Sequence, residues 1–180
     1  EVEPDMAIFG KALGNGYAIT AVLGRKEIMQ EAQSTFISST FWTERIGPSA
    51  AIKTLEVMKR EESWKKISNM GLYIKDIWEK LSNKYELKIN ISGISALPNF
   101  SIISNDALKY KTLITQEMLK NNFLASNSVY VCLKHDNKII DEYAYYLDKI
   151  FKIIKDCEEG KEIDKILEGP VAHTGFQRLN

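Results

Sequence analysis

Apolar positions divide the chain into short runs near its start and long amphipathic stretches after them. Residues 5–9 (Asp-Met-Ala-Ile-Phe) are apolar and end at Gly10, which predicts a buried strand. Residues 10–17 carry three glycines and predict a turn-rich loop. A second buried strand is expected over residues 18–23, a short helix over 26–33 and a third strand over 36–41. Pro48 suits a first helical position. After it Ala51, Leu55 and Met58 recur at helical spacing. The same period continues through Trp64, Ile67, Met70, Ile74, Ile77, Trp78 and Leu81, with Gly71 as a mild weak point. A bend is expected near residues 61–63.

Beyond it, residues 88–91 and 99–104 read as strands around Ser92-Gly93 and Pro98, and residues 113–121 as a helix. Val129, Val131 and Leu133 alternate within residues 124–133, which predicts a half-buried strand. Ile140, Tyr143, Leu147, Ile150, Phe151 and Ile154 mark a last amphipathic helix that stops near Gly160. Residues 169–180 have little periodicity. The alternation of strands and helices places the chain in the α/β class, a parallel or mixed sheet covered by helices. The expected division is residues 1–61 and 62–180.

Composition narrows the function classes. The 180 residues are 44% hydrophobic and 27% charged, ordinary for a globular protein. Lys and Arg total 24, as do Asp and Glu, so the net charge is zero and no basic field favours nucleic acid or an anionic membrane. No apolar run approaches the roughly 20 residues that span a bilayer. Cys132 and Cys157 make neither a disulfide framework nor a zinc site, and a cytoplasmic location is expected. The chain has no initiator Met, and it reads as a fragment.

Lys11 is the candidate for chemistry. A lysine at the end of an apolar strand is expected to be desolvated, which disfavours its charged form. Such an amine forms Schiff bases with carbonyls. A solvated lysine without a task is the plain alternative. A phosphate-binding P-loop is excluded because Ala12 stands where Ser or Thr is needed, and no G-x-G-x-x-G occurs.

The segment Glu3-Pro4-Asp5-Met6-Ala7-Ile8-Phe9-Gly10-Lys11-Ala12-Leu13-Gly14-Asn15-Gly16-Tyr17 closely resembles the lysine motif of class III aminotransferases that depend on pyridoxal phosphate (PLP), in particular enzymes of the glutamate-1-semialdehyde aminomutase type. The resemblance implies that Lys11 carries the cofactor as a Schiff base and shuttles the substrate proton. It implies fold-type I of the PLP-dependent transferases (aspartate aminotransferase-like), with residues 1–61 as the C-terminal part of the large domain and 62–180 as the small α+β domain. Residues 38–48 fall where the family has Gly-Thr-(aromatic)-Ser-Gly-Asn-Pro, which implies that Thr40 binds the phosphate of a partner's cofactor across a homodimer. Ser39 replaces the glycine beside it and joins the cofactor-binding set, and residues 42–47 depart from the pattern. After Leu81 the likeness is weaker.

The implied substrates are a small-molecule amine and a carbonyl compound, with the amino group transferred or moved within one molecule. The family's phosphate loop, ring-stacking aromatic residue and pyridine-nitrogen Asp have no counterpart here, and Asp5 lies too close to Lys11 for that last task. The 180 residues alone are therefore expected to be inactive, and a non-catalytic fragment of such an enzyme is the alternative.

Other residues are weighed on their chemistry. Arg45 could clasp a substrate carboxylate, though a surface or interface ion pair with Glu44 or another acid is the plainer expectation. His135 beside Asp136 could act as a general base, against the plainer reading of an exposed turn. Cys132 is expected to be a core or strand thiol, and Trp42, Trp64 and Trp78 are expected in packing. His173 and Arg178 could reach the site only from an ordered tail.

Overall fold

The structure is a computed structural model and describes residues 2–173. The chain divides into two compact units, one through Ser63 and one from Trp64 onward.

In the first unit β1 (Met6–Phe9) pairs antiparallel with β2 (Ala21–Gly24), Met6 opposite Gly24 and Phe9 opposite Ala21. A 3-10 turn at Lys11–Leu13 lies between them. Helix α1 (Lys26–Gln30) runs into a 3-10 turn at Glu31–Ser34, and α2 (Ile46–Glu61) closes the unit. Two expectations fail here. Residues 36–41 form no strand but an exposed loop, because Ser38-Ser39-Thr40 at their centre leaves no apolar face to bury; Phe36 is 95% exposed. The β1–β2 ribbon is not buried: Ile8 is 72% exposed and Leu23 60%. Its pairing is antiparallel, and a two-stranded ribbon has no layer over its faces within this unit.

Pro48 is the third helical residue of α2, not the first. It still forfeits no intrahelical bond, because the first four N–H groups of a helix have no partner there. The last residue of α2 precedes Glu62, which adopts a left-handed φ of 47°. Helix α3 (Ser63–Lys84) then begins.

The second unit holds the core. α3, the hairpin of β3 (Ile89–Ser92) and β4 (Asn99–Ile102), α4 (Ala107–Lys120) and α5 (Asn137–Glu158) surround it. Ile74 and Trp78 from α3, Phe100 from β4, Leu113 and Met118 from α4, and Leu147 and Phe151 from α5 are buried. The Trp78 and Phe100 rings lie 4.7 Å apart, and those of Phe100 and Phe151 5.8 Å apart. One polar pair is sealed inside: Trp78 Nε1 donates to the Tyr143 hydroxyl at 2.9 Å. Burial pushes that hydroxyl's pKa well above its ordinary value. Desolvation, together with a hydrogen bond to Glu158 at 2.6 Å, does the same to Tyr110.

Gly71 is no weak point. A Cβ there would stand 1.6 Å from the carbonyl oxygen of Ser95, so the glycine lets α3 pass against the β3–β4 connection. That connection turns at Gly93, whose φ is 79°. α4 begins six residues before the expected 113, its first turns masked in sequence by Lys109, Lys111 and Thr112.

Residues 124–133 are not a regular strand. They run antiparallel beside β4 through Phe100 N–H to Asn127 O (2.9 Å), Val129 N–H to Pro98 O (3.0 Å) and Val131 N–H to Ala96 O (3.1 Å). Pro98 has no N–H to return, so the ladder reduces to the single bridge of Asn99 with Ser128. Cys132, expected as a core or strand thiol, is exposed and outside any regular strand. Trp42 and Trp64 are also exposed, and Trp78 is the tryptophan of the core.

Candidate active site

Lys11 follows the end of β1 through Gly10, which is extended (φ −158°, ψ −156°). It opens the 3-10 turn with a φ of 48°, in the left-handed region that L-residues other than Gly, Asn and Asp seldom enter. Leu13 N–H bonds back to Gly10 O at 3.1 Å, and the Lys11 carbonyl accepts from Gly14 and from Asn15, the latter at 3.3 Å. The peptide groups on both sides of Lys11 are thus held. Its side chain lines an open hollow of about 620 Å³ whose other walls are Gly16, Tyr17, Ala18, Ile19 and Thr20. Lys11 is exposed. The desolvation expected from its place after an apolar strand is absent, because the ribbon that precedes it is itself uncovered.

Two glycines fix the far wall of that hollow. Gly14 is buried, and a Cβ on it would stand 2.1 Å from Tyr17 O and 2.8 Å from Ile19 Cγ2. Gly47, at the start of α2, would meet Ala18 O at 2.8 Å. The helix backbone therefore lies close against residues 18–19. Glu44 anchors that helix end: its carboxylate accepts from Ile46 N–H and, at 3.2 Å, from Gly47 N–H. Negative charge at a helix N-terminus is favourable. The expected Arg45–Glu44 ion pair gives way to this cap, and Arg45 is the residue preceding the helix. Asp5 is engaged elsewhere, by Arg25 at 3.0 Å.

Ser39 and Thr40 lie in the exposed loop before α2, where Ser39 Oγ accepts from Phe41 N–H at 3.2 Å. Neither lines the Lys11 hollow. In the second unit the His135–Asp136 pair is structural: His135 Nδ1 accepts from Cys132 N–H at 3.3 Å, and Asp136 caps α5 by accepting from Ile139 N–H at 2.9 Å. His173 falls in irregular chain, and Arg178 lies outside the described residues. The sequence reading missed Gly14, Gly47 and Glu44. For Glu44 a signal existed, an acid just before a helix start; for the glycines only the fold reveals the close approach.

Residues 1–141 match the profile of the class III aminotransferase family. The chain belongs to that family. Its relatives include 3-aminobutyryl-CoA aminotransferase of Cloacimonas acidaminovorans (strain Evry), 32% identical over 155 residues, which are 83% of this chain and 37% of the relative. Glutamate-1-semialdehyde 2,1-aminomutase of Methanocaldococcus jannaschii is 25% identical over 178 residues, 89% of this chain and 40% of the relative. The solved FumI protein of Sphingopyxis sp. MTA144, in its PLP internal aldimine form, superposes with a TM-score of 0.80 at 21% identity, covering 92% of this chain and 40% of that one. The fold is therefore that of the fold-type I transaminases. The class III chain described here spans about two fifths of the length of these relatives.

As a donor set, the hollow fits PLP in one respect. It offers a primary amine, the group a cofactor aldehyde condenses with, and among the described residues no carboxylate lines it to hold that amine as an ion pair.

Proposed function

We propose that this chain supplies the Schiff-base lysine of a PLP-dependent enzyme that transfers an amino group between a small amine and a carbonyl compound, or moves it within one molecule. One observation carries the reading: the lysine of the family motif is exposed, clamped in its backbone and lines an open hollow. Bound PLP supplies an electron sink for the amine-bearing carbon of the substrate. Lys11 Nζ would hold the cofactor through its aldehyde group. The same nitrogen, as a free amine, would take the proton from the substrate's amine-bearing carbon and return it where the product requires.

Thr40, with Ser39 beside it, binds the cofactor phosphate of a second copy, which makes the enzyme a homodimer. Two features support this: both residues are exposed, and neither lines the hollow of its own Lys11. Residues 1–61 form the C-terminal part of the cofactor-binding large domain and 62–180 the small domain. The 180 residues act only together with the rest of such an enzyme, since among the described residues no carboxylate lines the hollow to pair with a protonated pyridine nitrogen. We place the enzyme in the cytoplasm without nucleic-acid or membrane partners; the described residues hold no helix long and apolar enough to cross a membrane.

The test is borohydride reduction, with PLP, of the protein expressed from its complete reading frame, followed by peptide mapping. A label confined to Lys11 is expected. Scattered label, or none, overturns the reading. Lys11→Ala is expected to lower the rate of amino transfer by at least about 10²-fold, the scale of one lost acid–base group.

A further inference from the structure

We propose that Gly14 is a positioning residue for Lys11: the turn it closes holds the lysine in its left-handed backbone and sets the distance between the lysine and the opposite wall of the hollow. The inference rests on Lys11 being the Schiff-base lysine and adds what aims it.

Three observations meet here. Lys11 has a φ of 48°, a conformation that a lysine adopts only when its surroundings over-determine it. The bonds that over-determine it are the two onto the Lys11 carbonyl, one of them from Gly14 N–H, and the one onto Gly10 O. Gly14 itself has an ordinary right-handed backbone (φ −87°, ψ −12°), so its lack of a side chain answers a need for space, not for conformation. That space is taken by Tyr17 O and Ile19 Cγ2. Tyr17 N–H also bonds to Gly14 O at 3.1 Å. A methyl group at position 14 would push residues 17–19 outward and pull on the bonds that clamp Lys11. Gly16 differs: a Cβ there would meet nothing within 4 Å, although its φ of 106° strains any other residue.

Two pairs of variants in the complete protein test this. The first needs no cofactor: apo Lys11→Gly and apo Lys11→Ala both lack the amine, and a left-handed position favours glycine. The glycine variant is expected to melt about 2 °C or more above the alanine variant. Equal or inverted melting overturns the proposal. The second compares holo Gly14→Ala with holo Gly16→Ala. Gly14→Ala is expected to lower kcat at least about tenfold with KM little changed, and to shift the pH midpoint of the visible absorbance of the lysine-bound cofactor, more than Gly16→Ala does. Equal behaviour of the two overturns it. If Gly14→Ala does not fold, the melting comparison still decides whether position 11 is held left-handed, the premise without which the proposal fails. Absence of borohydride label from wild-type Lys11 defeats the functional reading and leaves the melting comparison intact.

Discussion

At the scale of single residues, chemistry and space decide separately. Lys11 stood out as a candidate because the surrounding motif is long. Its left-handed backbone was not legible, since φ depends on hydrogen bonds that close only when the loop folds. Gly71 makes the same point more sharply. In an exposed helix interior Gly→Ala stabilises by about 1 kcal/mol. Here the added methyl would collide with Ser95 O, 24 residues away in sequence. Gly71→Ala is therefore expected to destabilise the second unit by about 1–3 kcal/mol, the cost of overpacking. A thermal melt of the two proteins checks the sign. Cys132 and Trp64 were misplaced for a related reason: apolar residue type alone does not say whether a segment finds something to pack against.

Among the elements, α3 and α5 were readable because both carry an unbroken apolar stripe that the core uses. α5 starts where Asp136 accepts from Ile139 N–H, so Asp136→Ala is expected to remove about 1 kcal/mol of stability, measured by denaturant unfolding. The strand expected over residues 36–41 shows the limit of reading short runs: a strand exists only with a neighbour, and in the structure those residues pair with none. Residues 124–133 are the intermediate case, where Pro98 removes a donor and leaves a partial ladder. Inside the core, Tyr143→Phe would strand the indole N–H of Trp78 without an acceptor. A loss of about 1–3 kcal/mol is expected, since a buried donor is left unpaired.

Taken whole, the molecule is uneven in its burial. Among the described residues nearly every buried apolar residue belongs to the second unit, and Ala51 is the exception from the first. A polypeptide from Trp64 onward is expected to fold cooperatively, and one ending at Ser63 is not; circular dichroism of the two fragments during a thermal ramp tests this. The core also sets an alkaline limit. Tyr110 and Tyr143 have pKa values raised in the folded state, chiefly by burial. Unfolding returns them to about 10, so their contribution is full below about pH 10 and falls as pH rises further. The midpoint denaturant concentration is expected to drop above about pH 10, with tyrosinate absorbance appearing together with unfolding. Fold type and family were legible because the lysine motif is specific. The division into a soft first unit and a hard second one was not, because it depends on which faces are covered.

The β1–β2 ribbon has a consequence for anyone handling these 180 residues in solution. Among the described residues each of its strands pairs along one edge only, and Ile8, Phe9 and Leu23 flank the N–H and C=O groups of the other. Such an edge is a template for strand addition by neighbouring molecules. Light scattering should therefore grow with concentration, and Ile8→Lys, which puts a charge on the ribbon, should suppress it while leaving the melting of the second unit unchanged.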